Sequence, residues 1–223
     1  MGWLEFIAAF AVFFLSHSLP TRPGVKSRLT AAIGARGYTI AYSMLSLAVL
    51  YWLLMAAGRA PVVPLWDWAP WQNQVPLIAM GIACTILALT IARPNPFSFG
   101  GAQNDRFSTD HPGLIRWTRH PILAALAIWA VAHIVPNGDL AHVILFGTFA
   151  GFAFLGMRLI DRRKRREIGA EWDRLRSELR AGPPFHSPAS LLDLSIRVIL
   201  GILTYAALLH LHPALFGVAP YLG

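Results

Sequence analysis

Six stretches of this chain are so apolar that water is a poor solvent for them: Trp3–Leu19, Tyr38–Ala57, Val75–Ala92, His120–Val135, Leu140–Ile160 and Leu191–Leu211. An α-helix rises 1.5 Å per residue, so about 20 apolar residues cross the hydrocarbon core of a bilayer. There the backbone must satisfy its own N–H and C=O groups, which leaves helices as the solution for stretches of this length. Composition agrees: 56% of residues are hydrophobic and 13% charged, against roughly 25% charged in soluble domains. The expected fold class is all-α, a polytopic membrane helix bundle of about six transmembrane helices in one integral membrane domain over residues 1–223. The third and fourth stretches are short, and either tilt little or are shielded by protein. The first has no basic flank before it and no small-residue cleavage pattern after it, so it reads as a retained membrane helix.

The basic residues set an orientation. Arg22, Lys26, Arg28 and Arg36 follow the first stretch, and Arg93, Arg106, Arg116 and Arg119 follow the third. Arg158 lies at the end of the fifth, the run from Arg162 to Arg180 follows it, and Arg197 lies just inside the sixth. Arg59 alone falls on the other side. The positive-inside rule places loops one, three and five in the cytoplasm and both termini on the periplasmic side. The net charge of +8 is therefore chiefly a topology signal, with anionic lipid headgroups as a secondary partner and nucleic acid excluded. "VPLWDWAPW" (Val63 to Trp71) suits an outer interfacial belt. "PNGD" (Pro136 to Asp139) is a tight turn in which Gly138 is expected to supply backbone freedom.

After the fifth stretch, Ile168, Trp172, Leu175 and Leu179 recur at helical spacing within Asp161–Arg180. This predicts a cytoplasmic amphipathic helix, either lying at the headgroups or acting as a lid over a cytoplasm-facing pocket. Gly182-Pro183-Pro184 stops it. Gly147 and Gly151 are four apart and offer a face for close helix packing or for an oligomer. Asp193 and Arg197 are placed to neutralise each other. The single cysteine, Cys84, excludes an internal disulfide and reads as a small core residue.

Histidine is the residue that asks for chemistry. Ionisable side chains in membrane segments mark functional sites, and neutral imidazole binds haem iron and other metals. His17 stands near the inner end of the first stretch in "SHS", either as an interfacial hydrogen-bonding group or as a ligand. His120, with Arg116 and Arg119, stands where Pro121 starts a helix. Arg116 and Arg119 are either positive-inside anchors or, if the helix begins earlier, neighbours facing one anion-binding pocket. His133 lies toward the outer end, 13 residues past His120, roughly 20 Å along a straight helix. His142, His210 and His212 fall on the same outer side and make a metal-binding cluster one option. No phosphate loop, dinucleotide fingerprint or Ser-His-Asp pattern is present.

The joint order of "SHSLPTRPGVKSRL…IGARGYTIAYSMLSL", "HPGLIRWTRHP", "WAVAHIVPNGD" and "FAGFAFLGMRLIDRRKRR" resembles the NnrU family of bacterial membrane proteins over Met1 to about Arg180, with Leu191–Leu211 as an additional C-terminal helix. The resemblance implies the bacterial inner membrane and a link to nitric oxide and nitrite metabolism. The same pattern is similar to 15-cis-zeta-carotene isomerase, which uses haem b in a membrane fold. That likeness implies a haem-dependent redox or cis-trans isomerase-like activity on a small hydrophobic or nitrogen-oxide substrate. It makes His17 and His133 the leading haem ligands, with His120 as the alternative. A further likeness, "G-x-x-R-x-x-RHP" from Gly113 and "IGAEWDRL" from Ile168, is to isoprenylcysteine and phospholipid methyltransferases. It implies S-adenosylmethionine held near Arg119, His120, Glu171 and Trp172, although Ile122 and Leu123 stand where those enzymes often carry tyrosine. A third expectation is a non-enzymatic accessory protein of denitrification.

Overall fold

The computed structural model describes residues 2–221, and the described residues are helical apart from turns and one isolated β-bridge. The helices are α1 (Gly2–Ser18), α2 (Pro23–Arg59), α3 (Gln74–Thr90), α4 (Pro121–Ile134), α5 (Leu140–Ile168), α6 (Ala170–Ala181) and α7 (Leu191–Phe216). Four segments are long and apolar enough to cross a membrane: α2, Pro70–Thr90, α5 and α7; α1 and α4 are shorter apolar helices. The all-α membrane class expected from the apolar runs is thus present.

The chain divides into two compact units. One holds the residues up to Asp67 with Gly138–Leu145; the other holds Trp68–Asn137 with the residues from Phe146 onward.

In the first unit α1 packs on α2. Phe6, Ala9 and Phe13 are buried on α1, and Val49, Leu53, Ala56 and Ala57 on α2, each set at helical spacing. Arg59 closes this pair by donating to Glu5, with Nε to Oε2 at 3.1 Å, and Trp52 Nε1 donates to Glu5 Oε1 at 3.2 Å. α2 begins much earlier than its apolar run, so the basic loop after α1 is itself largely helical up to a kink. The kink falls at Gly34, whose φ of 74° is a backbone state that side chains with a Cβ rarely adopt. Gly138 does not serve as a flexible turn residue: a Cβ there would lie 2.5 Å from the Trp66 carbonyl oxygen, so glycine is needed for close approach. Its carbonyl accepts from Leu65 N at 2.7 Å.

In the second unit α3 packs on both α4 and α7. At Gly201 of α7 an added Cβ would stand 2.9 Å from Thr85 Cα, so the small residue permits a close helix crossing. Arg197 bonds Asp193 as expected, and also donates to the Ala88 and Ile91 carbonyls at the end of α3. Cys84 is buried in α3. A Cβ added at Gly147 or Gly151 would meet nothing within 4 Å, whereas one at Gly156 of α5 would stand 3.3 Å from Leu123.

The amphipathic segment is broken once. Gly169 has φ 56° and ends α5, so α6 starts afresh at Ala170. Trp172, Leu175 and Leu179 of α6 are buried with Phe97 and Ile115, and Ile168 and Phe107 pack against them. The apolar face of α6 is thus covered by protein.

Candidate functional site

Asn95 organises the first layer of the second unit's site. Its Nδ2 donates to the Arg119 carbonyl at 3.0 Å and its Oδ1 accepts from Phe97 N at 3.0 Å, while its own N–H donates to Asn104 Oδ1 at 2.8 Å. The Pro- and Gly-broken turn after α3 is thereby pinned against the start of α4, bringing Phe97 under α6 and Ser98 beside His120. Pro121 fixes where α4 begins. His120 has φ −121° and ψ 60°, as steric conflict with a following proline favours non-helical backbone.

His120 is 3% exposed, and both ring nitrogens are bonded. Nε2 lies 2.9 Å from Asp161 Oδ1, and Nδ1 lies 3.0 Å from Ser98 Oγ. The consistent assignment has Nε2–H donating to the carboxylate and the serine hydroxyl donating to Nδ1. Arg119 takes the same carboxylate with two donors, Nε at 3.0 Å and Nη2 at 2.5 Å. Burial pushes the His120 imidazole below its ordinary value, against the opposing influence of the Asp161 hydrogen bond. The histidine is thus held neutral, as a polar pin between α3's following turn, α4 and α5.

Arg116 has a different role. Its Nε and Nη2 donate to the carbonyls of Pro183 and Gly182 at 3.0 and 3.2 Å. Because α4 does not begin before Pro121, Arg116 and Arg119 do not act as one helical pair; they bind unrelated partners. Trp172, 2% exposed, lies under the guanidinium groups of Arg119, Arg165 and Arg176 at 5.7, 5.5 and 4.9 Å from its ring centre. Glu171 is held below the usual carboxylate range by its hydrogen bond from Arg174.

His133 lies at the far end of α4. Its Nδ1 is 2.8 Å from the Trp129 carbonyl oxygen, one turn earlier. Its ring stands 5.7 Å from Trp129 and 5.2 Å from Phe146, centre to centre. In the first unit, His17 repeats this pattern: Nδ1 is 2.8 Å from the Phe13 carbonyl oxygen, and the ring stacks on Phe13 at 4.1 Å. In each case the carbonyl fixes the proton on Nδ1, leaving Nε2 with its lone pair and, among the described residues, no hydrogen-bond partner.

Two of the outer histidines bond partners near them in the chain. His142 bonds Asp139 at 2.6 Å and His212 bonds the Val218 carbonyl at 2.7 Å. Among the described residues no three His, Cys, Asp or Glu side chains are grouped to hold a metal ion.

Asp161 and Ser98 were not singled out by the sequence. Asp161 had one legible signal: it is the sole acid in the basic stretch from Arg158 to Arg166. Ser98 had none, because its role depends on where the turn folds.

The family model described as "NnrU protein" matches residues 5–220. The match extends past α6 and takes in α7. No curated protein and no solved structure matches the chain.

Proposed function

This chain belongs to the NnrU family, and on that premise we propose that it is a haem-b-binding membrane protein of redox or isomerase-like activity, with His133 as the residue that would hold the haem iron. The observation that carries the reading is the donor geometry of His133. A ligating histidine ordinarily gives its second ring N–H to a carbonyl or carboxylate, which fixes the tautomer and makes the other nitrogen a better donor to the metal. His133 has that arrangement through Trp129, and Trp129 and Phe146 give it apolar walls. His17 has the same arrangement in its own unit and is the second candidate. Haem iron takes imidazole donors, so these histidines suit it although no three-ligand group is built among the described residues.

Bound haem would supply redox-active iron chemistry. The chain's own part is narrower: Trp129 holds the Nδ1 proton, His133 presents Nε2, and the aromatic walls limit water. The link to nitric oxide and nitrite metabolism rests on the family resemblance.

The methyltransferase reading is less well supported. Arg119 and His120 are both committed to Asp161, Glu171 pairs with Arg174, and Trp172 is buried. An incoming S-adenosylmethionine would have to displace these contacts.

The test is the visible spectrum of detergent-purified protein, oxidised and dithionite-reduced. Wild type should show a Soret band and reduced α and β bands. His133→Ala should lose at least tenfold of the haem per folded chain, and His17→Ala should alter the spectrum. His120→Ala should keep its haem per folded chain. A wild type that stays colourless after added haemin, or a His133→Ala spectrum identical to wild type, overturns the reading. S-adenosylmethionine titration and a search for a co-purifying partner would then decide between the enzyme and accessory alternatives.

A further inference from the structure

A cavity of about 440 Å³ lies in the second unit, where the end of α3 meets the starts of α4 and α7. It shares no residue with the haem proposal and does not rest on it. Its size is at the small end of the ~300–1,000 Å³ typical of ligand pockets. Arg93, Arg106 and Arg116 line it among apolar side chains, and no Asp or Glu among the described residues does so. Arg93 pairs with Asp193. Among the described residues Arg106 donates only to the neutral Gln103 side chain, and Arg116 only to the carbonyls of Gly182 and Pro183. Two guanidinium charges in one wall are therefore uncompensated by any carboxylate among the described residues. One buried donor of the same wall, Arg93 Nε, also has no hydrogen-bond partner among the described residues. Buried polar groups are ordinarily satisfied, and Arg93 Nε is a donor in every protonation state, so what this wall lacks is an acceptor.

The cavity also has an apolar continuation. Ile78, Ile82 and Ile86 recur every fourth residue along one face of α3 and, with Gly81, form an open groove. Leu89 and Leu114 line both the groove and the cavity. The groove runs along a segment apolar enough to span the membrane. A soluble anion would use the cavity alone; an acidic head on an acyl chain uses both. We infer that this cavity and groove bind one anionic membrane lipid, with its phosphate on Arg106 and Arg116 and an acyl chain along α3. The arginine fork suits phosphate oxygens, and the adjoining groove makes the lipid, not free phosphate, the fitting source.

The test uses the full chain, stripped of lipid in detergent and followed by native mass spectrometry. Dioleoylphosphatidylglycerol, dioleoylphosphatidylcholine and inorganic phosphate are the probes. One phosphatidylglycerol should be retained at least tenfold more tightly than phosphatidylcholine. Arg106→Gln and Arg116→Gln should each weaken it severalfold, and the double variant at least tenfold. Gly81→Leu fills the groove and should weaken the lipid without altering any charge. A Cβ at Gly81 meets nothing within 4 Å, and Arg106 forms no ion pair among the described residues, so those two variants should fold even if Arg116→Gln does not. Equal retention of phosphatidylcholine overturns the charge argument. Inorganic phosphate that displaces phosphatidylglycerol at comparable concentration assigns the cavity to a soluble anion and overturns the lipid. Wild-type retention by Gly81→Leu together with Arg106→Gln overturns the location.

Discussion

The N-terminal end of α4 and its C-terminal end each carry a histidine, and the two are held in opposite ways. His120 spends both ring nitrogens, on Ser98 and on Asp161. His133 spends one, on the carbonyl of Trp129 in its own helix. The first ties segments distant in sequence together, so its removal should damage the fold. The second makes its hydrogen bond within its own helix and meets α5 only through the Phe146 ring, so its removal should cost the fold less. Burial does not separate these roles; the number of nitrogens already committed to protein does.

Unfolding measurements on detergent-purified variants can break this comparison. The largest effect is expected at Trp172→Ala, about 3–5 kcal/mol by analogy with other buried aromatic truncations, because α6 loses the side chain that seats it against Phe97. Asp161→Ala comes next, at about 3 kcal/mol: it strands the buried His120 donor and the Arg119 guanidinium together. Both groups of the ion pair are part-exposed, which holds the figure at the lower end for such pairs. His133→Ala should change stability by less than either, measured on the haem-free chain. A loss as large as that of Asp161→Ala would make His133 a structural pin and remove the distinction.

A pH series sharpens the same contrast. Burial holds His120 below its ordinary value of 6.5, so the unfolded chain takes up a proton before the folded one does. Its contribution is complete above about pH 6.5 and is lost as pH falls through the lowered folded value. Wild type should therefore lose stability on acidification, and His120→Gln should flatten that part of the profile. An unchanged profile would show that His120 is not the group responsible.

The smallest effect is expected at Gly147→Ala and Gly151→Ala. Neither position has a neighbour within 4 Å for an added methyl to strike, so better helix propensity should stabilise each by at most about 1 kcal/mol. A clear loss of stability accompanied by a change of oligomeric mass in detergent would instead place a second copy on that face.

The helices were legible because their cause is local. Apolar runs of membrane length form helices whatever surrounds them, and Pro121 marks the start of α4 as the sequence suggested. The errors lie where local signals stop. The basic segment before Tyr38 is helical up to Gly34 although it is not apolar. Gly138 is required for a close approach to Trp66, a contact no turn motif encodes. The amphipathic spacing around Trp172 correctly marked one face, but periodicity alone cannot distinguish a lipid surface from a protein surface beneath that face. Arg116 and Arg119 are three residues apart, the spacing of a helical pair, yet Pro121 keeps them out of a common helix.

What the sequence determined by itself is therefore the membrane class, the positions of the apolar helices and the residues able to carry chemistry, since hydropathy and side-chain identity are properties of short stretches. Tertiary structure alone decided which of those residues are already spent. Asp161 reaches both Arg119 and His120 from about forty positions away in the chain, and Ser98 reaches His120 from a turn on the other side. A hydrogen bond depends on distance in space to within a few tenths of an ångström, and sequence separation carries no record of that distance.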